Sequence, residues 1–175
     1  MKTLHDFMVD QLNELYSAEL QMRMFAEKMA FKTSNEKLRH VFEVYAKKAE
    51  QQMNTLEKVL TLTGTGPENE RYSFIAEGLG NEIEYFLGKD PDSEVLDAGF
   101  VALMQKGAHY KIALYGTLRE FANQLRNEEA VRLLTGLLDA EKNADRDLTE
   151  RARSGVNQRA ADPDALDSAF ASTGK

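Results

Sequence analysis

The stretch Thr63-Gly64-Thr65-Gly66-Pro67-Glu68-Asn69, with its later counterpart Lys89-Asp90-Pro91-Asp92, decides how this chain folds. Both read as breaks, because Gly and Pro interrupt helices while Asn and Asp favour turns. Between them a shorter helical segment covers about Tyr72 to Leu87, with Phe74, Leu79, Ile83, Phe86 and Leu87 as its apolar residues. Gly78 and Gly80 weaken it. The connection amounts to roughly thirty residues. At ~1.5 Å per helical residue and ~3.3 Å per extended residue, it can run the whole length of a helical bundle.

Two helical pairs flank this connection. Upstream, about Leu4 to Phe31 carries Leu4, Met8, Leu12, Leu15, Met22, Ala26 and Met29 at spacings of three and four. Thr33-Ser34-Asn35-Glu36 then reads as a capping box. A second helix runs to about Leu62, with Leu38, Phe42, Tyr45, Ala49, Gln52, Leu56 and Leu60 near one face. Downstream, Asp90 is the expected N-cap and Pro91 the first residue of a long helix to about Leu125. Its stripe includes Leu96, Leu103, Gly107, Leu114, Leu118, Phe121 and Leu125. Arg126-Asn127 turns the chain, and the last helix runs to about Arg153 through Ala130, Leu134, Leu137, Ala144 and Leu148. Each short turn makes an antiparallel pair, and the long crossover joins the pairs in up-down-down-up order. The expected fold is therefore all-α: a ferritin-like four-helix bundle with a short extra helix in the crossover. A five-helix array of another topology is the alternative. Residues 1–153 are expected to form the bundle and residues 154–175 a polar, mobile tail, with one extra helical turn at Asp164 to Phe170.

Bulk composition narrows the function. The chain has 175 residues, which suits one domain with a real core. It has no cysteine, so disulfides, thiolate metal sites and cysteine nucleophiles are all excluded. A net charge of -7 argues against a nucleic-acid partner, which would need a basic face. No apolar run approaches the ~20 residues of a membrane span. The opening Met1-Lys2-Thr3-Leu4-His5-Asp6 does not read as a signal peptide, and a cytoplasmic location is expected.

Ionisable residues interrupt the apolar stripes. Glu19 lies on the first helix's seam between Leu15 and Met22. Tyr45, Lys48 and Gln52 occupy adjacent inward positions on the second. Lys111 follows Gly107 in the fourth helical segment, and Glu141 follows Leu137 in the last, with Asp145 one turn later. Facing carboxylates at one depth are what a bound metal pair needs. A protonated lysine cannot ligate a metal and repels one. Three acids, Glu19, Glu141 and Asp145, thus face two lysines, and a salt-bridged network can fill the volume of a metal pair. Blander readings pair Glu19 with Arg23 at i+4 or let the lysines snorkel to solvent. Tyr110, Tyr115 and the methionines read as packing residues.

Several motifs in order resemble the YciE/YciF family of ferritin-like bacterial stress proteins. They are Leu15-Tyr16-Ser17-Ala18-Glu19, Thr33 to Leu38, Glu77-Gly78-Leu79, His109-Tyr110, Tyr115 to Leu118 and Glu141-Lys142 through Asp145. The resemblance implies a homodimer, a stress association and a ferroxidase-like di-iron role. It also exposes departures. The family's His-Leu-x-Glu-Thr-x-x-Gln is here Tyr45-Ala46-Lys47-Lys48-Ala49-Glu50-Gln51-Gln52, so only the glutamine matches. The family's Glu-His-Tyr-Glu is Ala108-His109-Tyr110-Lys111. Glu19, Glu141 and Asp145 remain as metal-ligand candidates; Lys48, Lys111, Tyr45 and Gln52 are the residues that alter the site. The favoured reading is a dimeric binding or structural protein without a metal cofactor. Its alternative is a di-iron ferroxidase using Glu19, Glu50, Glu141 and Asp145. A single-metal or small-molecule site beside His109 and Gln52 is a third reading.

Overall fold

Thr3 starts the first helix. Its hydroxyl accepts the Asp6 N–H at 3.0 Å and the Asp6 carboxylate accepts the Thr3 N–H at 3.1 Å, a reciprocal cap that satisfies two orphan donors. The computed structural model describes residues 1–68 and 71–162. Six α-helices occupy them: α1 (Leu4–Lys32), α2 (Glu36–Leu62), α3 (Phe74–Leu87), α4 (Ser93–Gln124), α5 (Glu128–Arg151) and α6 (Asn157–Ala161). No helix among the described residues is long and apolar enough to cross a membrane.

Cross-helix contacts give the topology. Tyr16 of α1 donates to Glu57 of α2, while His5 near the start of α1 meets Thr63 just past the end of α2, so the two run antiparallel. Gln105 and His109 of α4 meet Asp145 of α5, and Gln105 also reaches Thr149, again antiparallel. Phe7 packs on Phe121 while Glu19 meets Lys111, which sets α4 antiparallel to α1. The order is up-down-down-up, as the crossover length implied. The third helix lies outside the seam between α1 and α4. There Gly80 is required for close approach: a Cβ would stand 2.5 Å from the Phe25 ring.

The stripes are largely those expected. Met8, Leu12, Leu15, Met22, Ala26 and Met29 of α1 are buried, and so is the whole α2 row from Leu38 to Leu60. Leu4 and Leu125, expected on stripes, are exposed at the bundle end. The buried seam of α4 passes through Lys111, Tyr115, Leu118 and Ala122 rather than through Leu114.

Several local expectations need correction. Thr33 is not the N-cap of α2. It closes α1, and Asn35 caps α2 by accepting the N–H groups of Lys37 and Leu38. The Thr33 hydroxyl instead donates to the buried carboxylate of Asp97 on α4. Asp90 has φ 50, a left-handed conformation incompatible with an N-cap, and Asp92 takes that position without a side-chain bond. The third helix starts at Phe74, with Ser73 as its cap. Asn127 does cap α5, accepting the Ala130 N–H at 3.1 Å. The folded part also extends past residue 153. A kinked turn, Ala152–Val156, buries Val156, and α6 follows it to pack on α4. Gly155 makes that turn at φ 143, where a side chain would be strained. The rest of the expected tail, including the turn at 164–170, lies outside the described residues.

Thr33→Val should cost about 1–3 kcal/mol, because it leaves the buried Asp97 without its hydroxyl donor. Denaturant unfolding checks this, and an unchanged midpoint would mean that Asp97 finds another partner.

Candidate functional site

Lys111 sits at the centre of the bundle, fully buried, between two buried carboxylates. Its Nζ lies 3.1 Å from Glu19 Oε2 and 2.9 Å from Glu141 Oε2. Helical spacing brings these residues to one level: α1 supplies Glu19, α4 Lys111 and α5 Glu141 from the middle of each helix. The α2 contribution is neutral. Tyr45 donates to Glu141 Oε1 at 2.5 Å, and Gln52 Nε2 donates to Glu141 Oε2 at 3.1 Å. Tyr115, one turn beyond Lys111, donates to Glu19 Oε1 at 2.5 Å. The Lys111 ammonium also lies 4.7 Å from the centroid of the Tyr45 ring, within cation–π range.

Every carboxylate oxygen in this layer therefore meets a donor. With both acids ionised and Lys111 protonated, its formal charge is -1. Burial raises the Glu19 carboxyl above its usual range, and Glu141 adds to that, while Lys111 and Tyr115 oppose it. Burial alone would lower Lys111, but Glu141 and Glu19 outweigh it and hold the ammonium well above its ordinary value. Burial first, then neighbouring carboxylates, push the Tyr45 and Tyr115 hydroxyls well up. Both phenols and the ammonium thus keep their protons at ordinary pH.

The fold agrees with what the chain resembles. A family described as a domain of unknown function, DUF892, matches residues 3–161. The chain belongs to this family. It is 35% identical over 160 residues to protein YciF of Escherichia coli, covering 91% of this chain and 96% of that protein. The crystal structure of the E. coli stress protein YciF superposes with a TM-score of 0.84, covering 90% of this chain and 99% of the other. YcfI from Rhodopseudomonas palustris is 32% identical, with a TM-score of 0.81 over 85% of this chain and 94% of its own. A dodecameric thioferritin from Bacteroides fragilis, 13% identical, has a TM-score of 0.69 over 90% of this chain and 91% of that one; it supports the ferritin-like fold alone.

Not every residue singled out from the sequence reaches the layer in this DUF892 chain. Glu19, Glu141, Lys111, Tyr45 and Gln52 converge. Lys48 does not: it is exposed, because it lies roughly 80° around α2 from the centre of the buried row at 100° per residue. Asp145 turns toward α4, where Gln105 donates to it at 3.1 Å and His109 Nε2 lies 3.4 Å away. Glu50 is exposed. Arg23 pairs with Glu27 at 3.5 Å and not with Glu19. Among the described residues no three His, Asp or Glu side chains gather where one ion could be held.

Sequence reasoning missed two features. Tyr115 was assigned to packing, although its i+4 spacing from Lys111 places it on the same row. A second polar cluster pins the crossover to α1. There Arg71 reaches Asp10 and Glu14 at 3.0 Å each, and Glu14 accepts from Tyr110 at 2.9 Å. Ser73 contacts Tyr110 at 3.1 Å. Glu14 is only 7% exposed, yet it lies off the apolar seam, so periodicity gave no signal for it.

Lys111→Met leaves two buried carboxylates facing each other without a cation. It should destabilise the fold by about 3–5 kcal/mol at neutral pH. Glu19, which burial already raises, would then lose the Lys111 charge that opposes the rise. A raised carboxyl stabilises the fold below its unfolded value, and that contribution is lost as pH rises through the folded one. The deficit relative to the parent should accordingly shrink toward acid pH. Denaturation curves at neutral and mildly acid pH test this, and an equal deficit at both would contradict it.

Proposed function

We propose that this YciF-type chain is a ferritin-like protein whose di-metal cavity is filled by a lysine–carboxylate network. It acts as a dimeric, stress-associated binding or structural protein. The observation that carries the reading is Lys111, held 2.9–3.1 Å from the two acids that would otherwise be ligands. An ammonium there occupies the space of a cation and supplies its charge. Di-iron carboxylate bundles place a Glu on each of two helices and a Glu-x-x-His pair on each of the other two. Here the residue three beyond Glu141 is Ala144, and α2 offers Tyr45 and Gln52 in place of acids. The remaining donor set does not fit a metal pair. Asp145 and Glu50, the other acids of a di-iron reading, stand outside the layer. The dimer and the stress association rest on the family likeness.

Iron offered anaerobically and then exposed to oxygen tests the proposal. The parent should bind no stoichiometric iron and show no oxidation absorbance; stoichiometric iron with such a band would overturn it. Because Lys48 is exposed, one substitution suffices for the converse. Lys111→Glu removes the cation and adds a third inward acid, and should raise iron uptake measured by metal analysis. Light scattering of the pure protein checks the dimer, for which a monomer at micromolar concentration is the contrary result.

A further inference from the structure

The bundle wall is open beside the charged layer. Between α2 and α5 lies a cavity of about 230 Å³. Gln52 and Glu141, both buried, form its inner end, and the exposed Lys48 stands at its rim. Leu137, Ala140 and Ala144 make its α5 wall, and the two alanines leave the space unfilled. Gln52 is fixed in orientation, because its amide nitrogen donates to Glu141. Its carbonyl oxygen has no protein partner among the described residues and is not a sealed buried atom. It is therefore an unused acceptor on a side chain that lines the cavity.

The inner end favours a neutral donor. Both Glu141 oxygens are already taken by Tyr45, Lys111 and Gln52, and the layer is formally negative, so an anion is disfavoured there. The rim favours an anion through Lys48. The volume falls below the roughly 300 Å³ at which drug-sized ligand sites begin, which limits the occupant to one ring or a short chain.

We infer that this cavity binds a small amphipathic carboxylate carrying a hydroxyl or N–H at its far end. The carboxylate meets Lys48, the apolar body lies against Leu137, Ala140 and Ala144, and the far donor bonds to the Gln52 carbonyl. The inward preference rests on the lysine–carboxylate layer proposed above, and metal analysis of the parent chain separates a failure of that reading from a failure of this one. The probe is 4-hydroxyphenylacetate, titrated into the full chain and followed through the Gln52 side-chain amide and the Ala144 methyl by NMR. Saturable shifts at both groups are expected. Phenylacetate, which lacks the donor, should bind about tenfold more weakly, the worth of one hydrogen bond. Tyramine, with an amine in place of the carboxylate, and the Lys48→Gln variant should each weaken binding by a similar factor. Ala144→Leu fills the cavity from a half-exposed position and should abolish the shift of the Gln52 amide; Ala140→Leu does the same if the first variant fails to fold. Absence of saturable shifts, tyramine binding equal to that of the acid, or undiminished binding by both filled-cavity variants would each overturn the inference.

Discussion

A buried ammonium held between two buried carboxylates sets the terms for the rest of this bundle. Taking three charges out of water costs several kcal/mol per ion, and only near-ideal geometry returns it. The surrounding residues supply that geometry. Two phenols, one amide and the lysine itself leave no carboxylate oxygen without a donor. Removing Lys111 leaves two charges uncompensated, and removing Tyr45 or Tyr115 leaves a buried carboxylate oxygen without its donor, so the layer is held together as a unit and not as a set of separate pairs.

This layer also divides the core. One apolar cluster joins the later half of α1 to α3 and the start of α4; the other joins the start of α1 to the later half of α4. Tyr45 belongs to the first and Tyr115 to the second, so each phenol links an apolar half to the charged middle. The helices cannot slide by a turn without moving Glu19 or Glu141 away from Lys111. The ion pairs thus fix register among α1, α4 and α5, which apolar packing alone specifies weakly. The second cluster, around Arg71 and Glu14, does the same for the crossover.

Much of this was legible in the sequence because a 3.6-residue period marks both faces and their exceptions. Glu19, Lys111 and Glu141 were found as charges on apolar rows. Lys48 was misplaced because positions three residues from one seam residue and four from the next sit at the edge of the stripe, where a long side chain turns outward. Caps were harder to read. Thr33 and Asn35 are both competent caps, and only the tertiary partner Asp97 decides which one serves α2. Glu14 was invisible for a related reason. Its partner Arg71 comes from a loop, where no period relates position to contact.

The charge count gives the layer its specificity. Exchanging one inward carboxylate for lysine shifts the balance of the cavity by two units. With three inward acids a divalent cation would relieve repulsion; with two acids and an ammonium only one negative charge remains for it to meet. A dication entering here would face the Lys111 ammonium among buried side chains. It could bind only by expelling an ammonium whose proton is held well above its usual range. A proton is the smaller adjustment available to the same excess charge, and burial, which raises the Glu19 carboxyl, favours it. The same arithmetic orients any guest in the adjoining cavity, with its neutral end inward and its anion at Lys48.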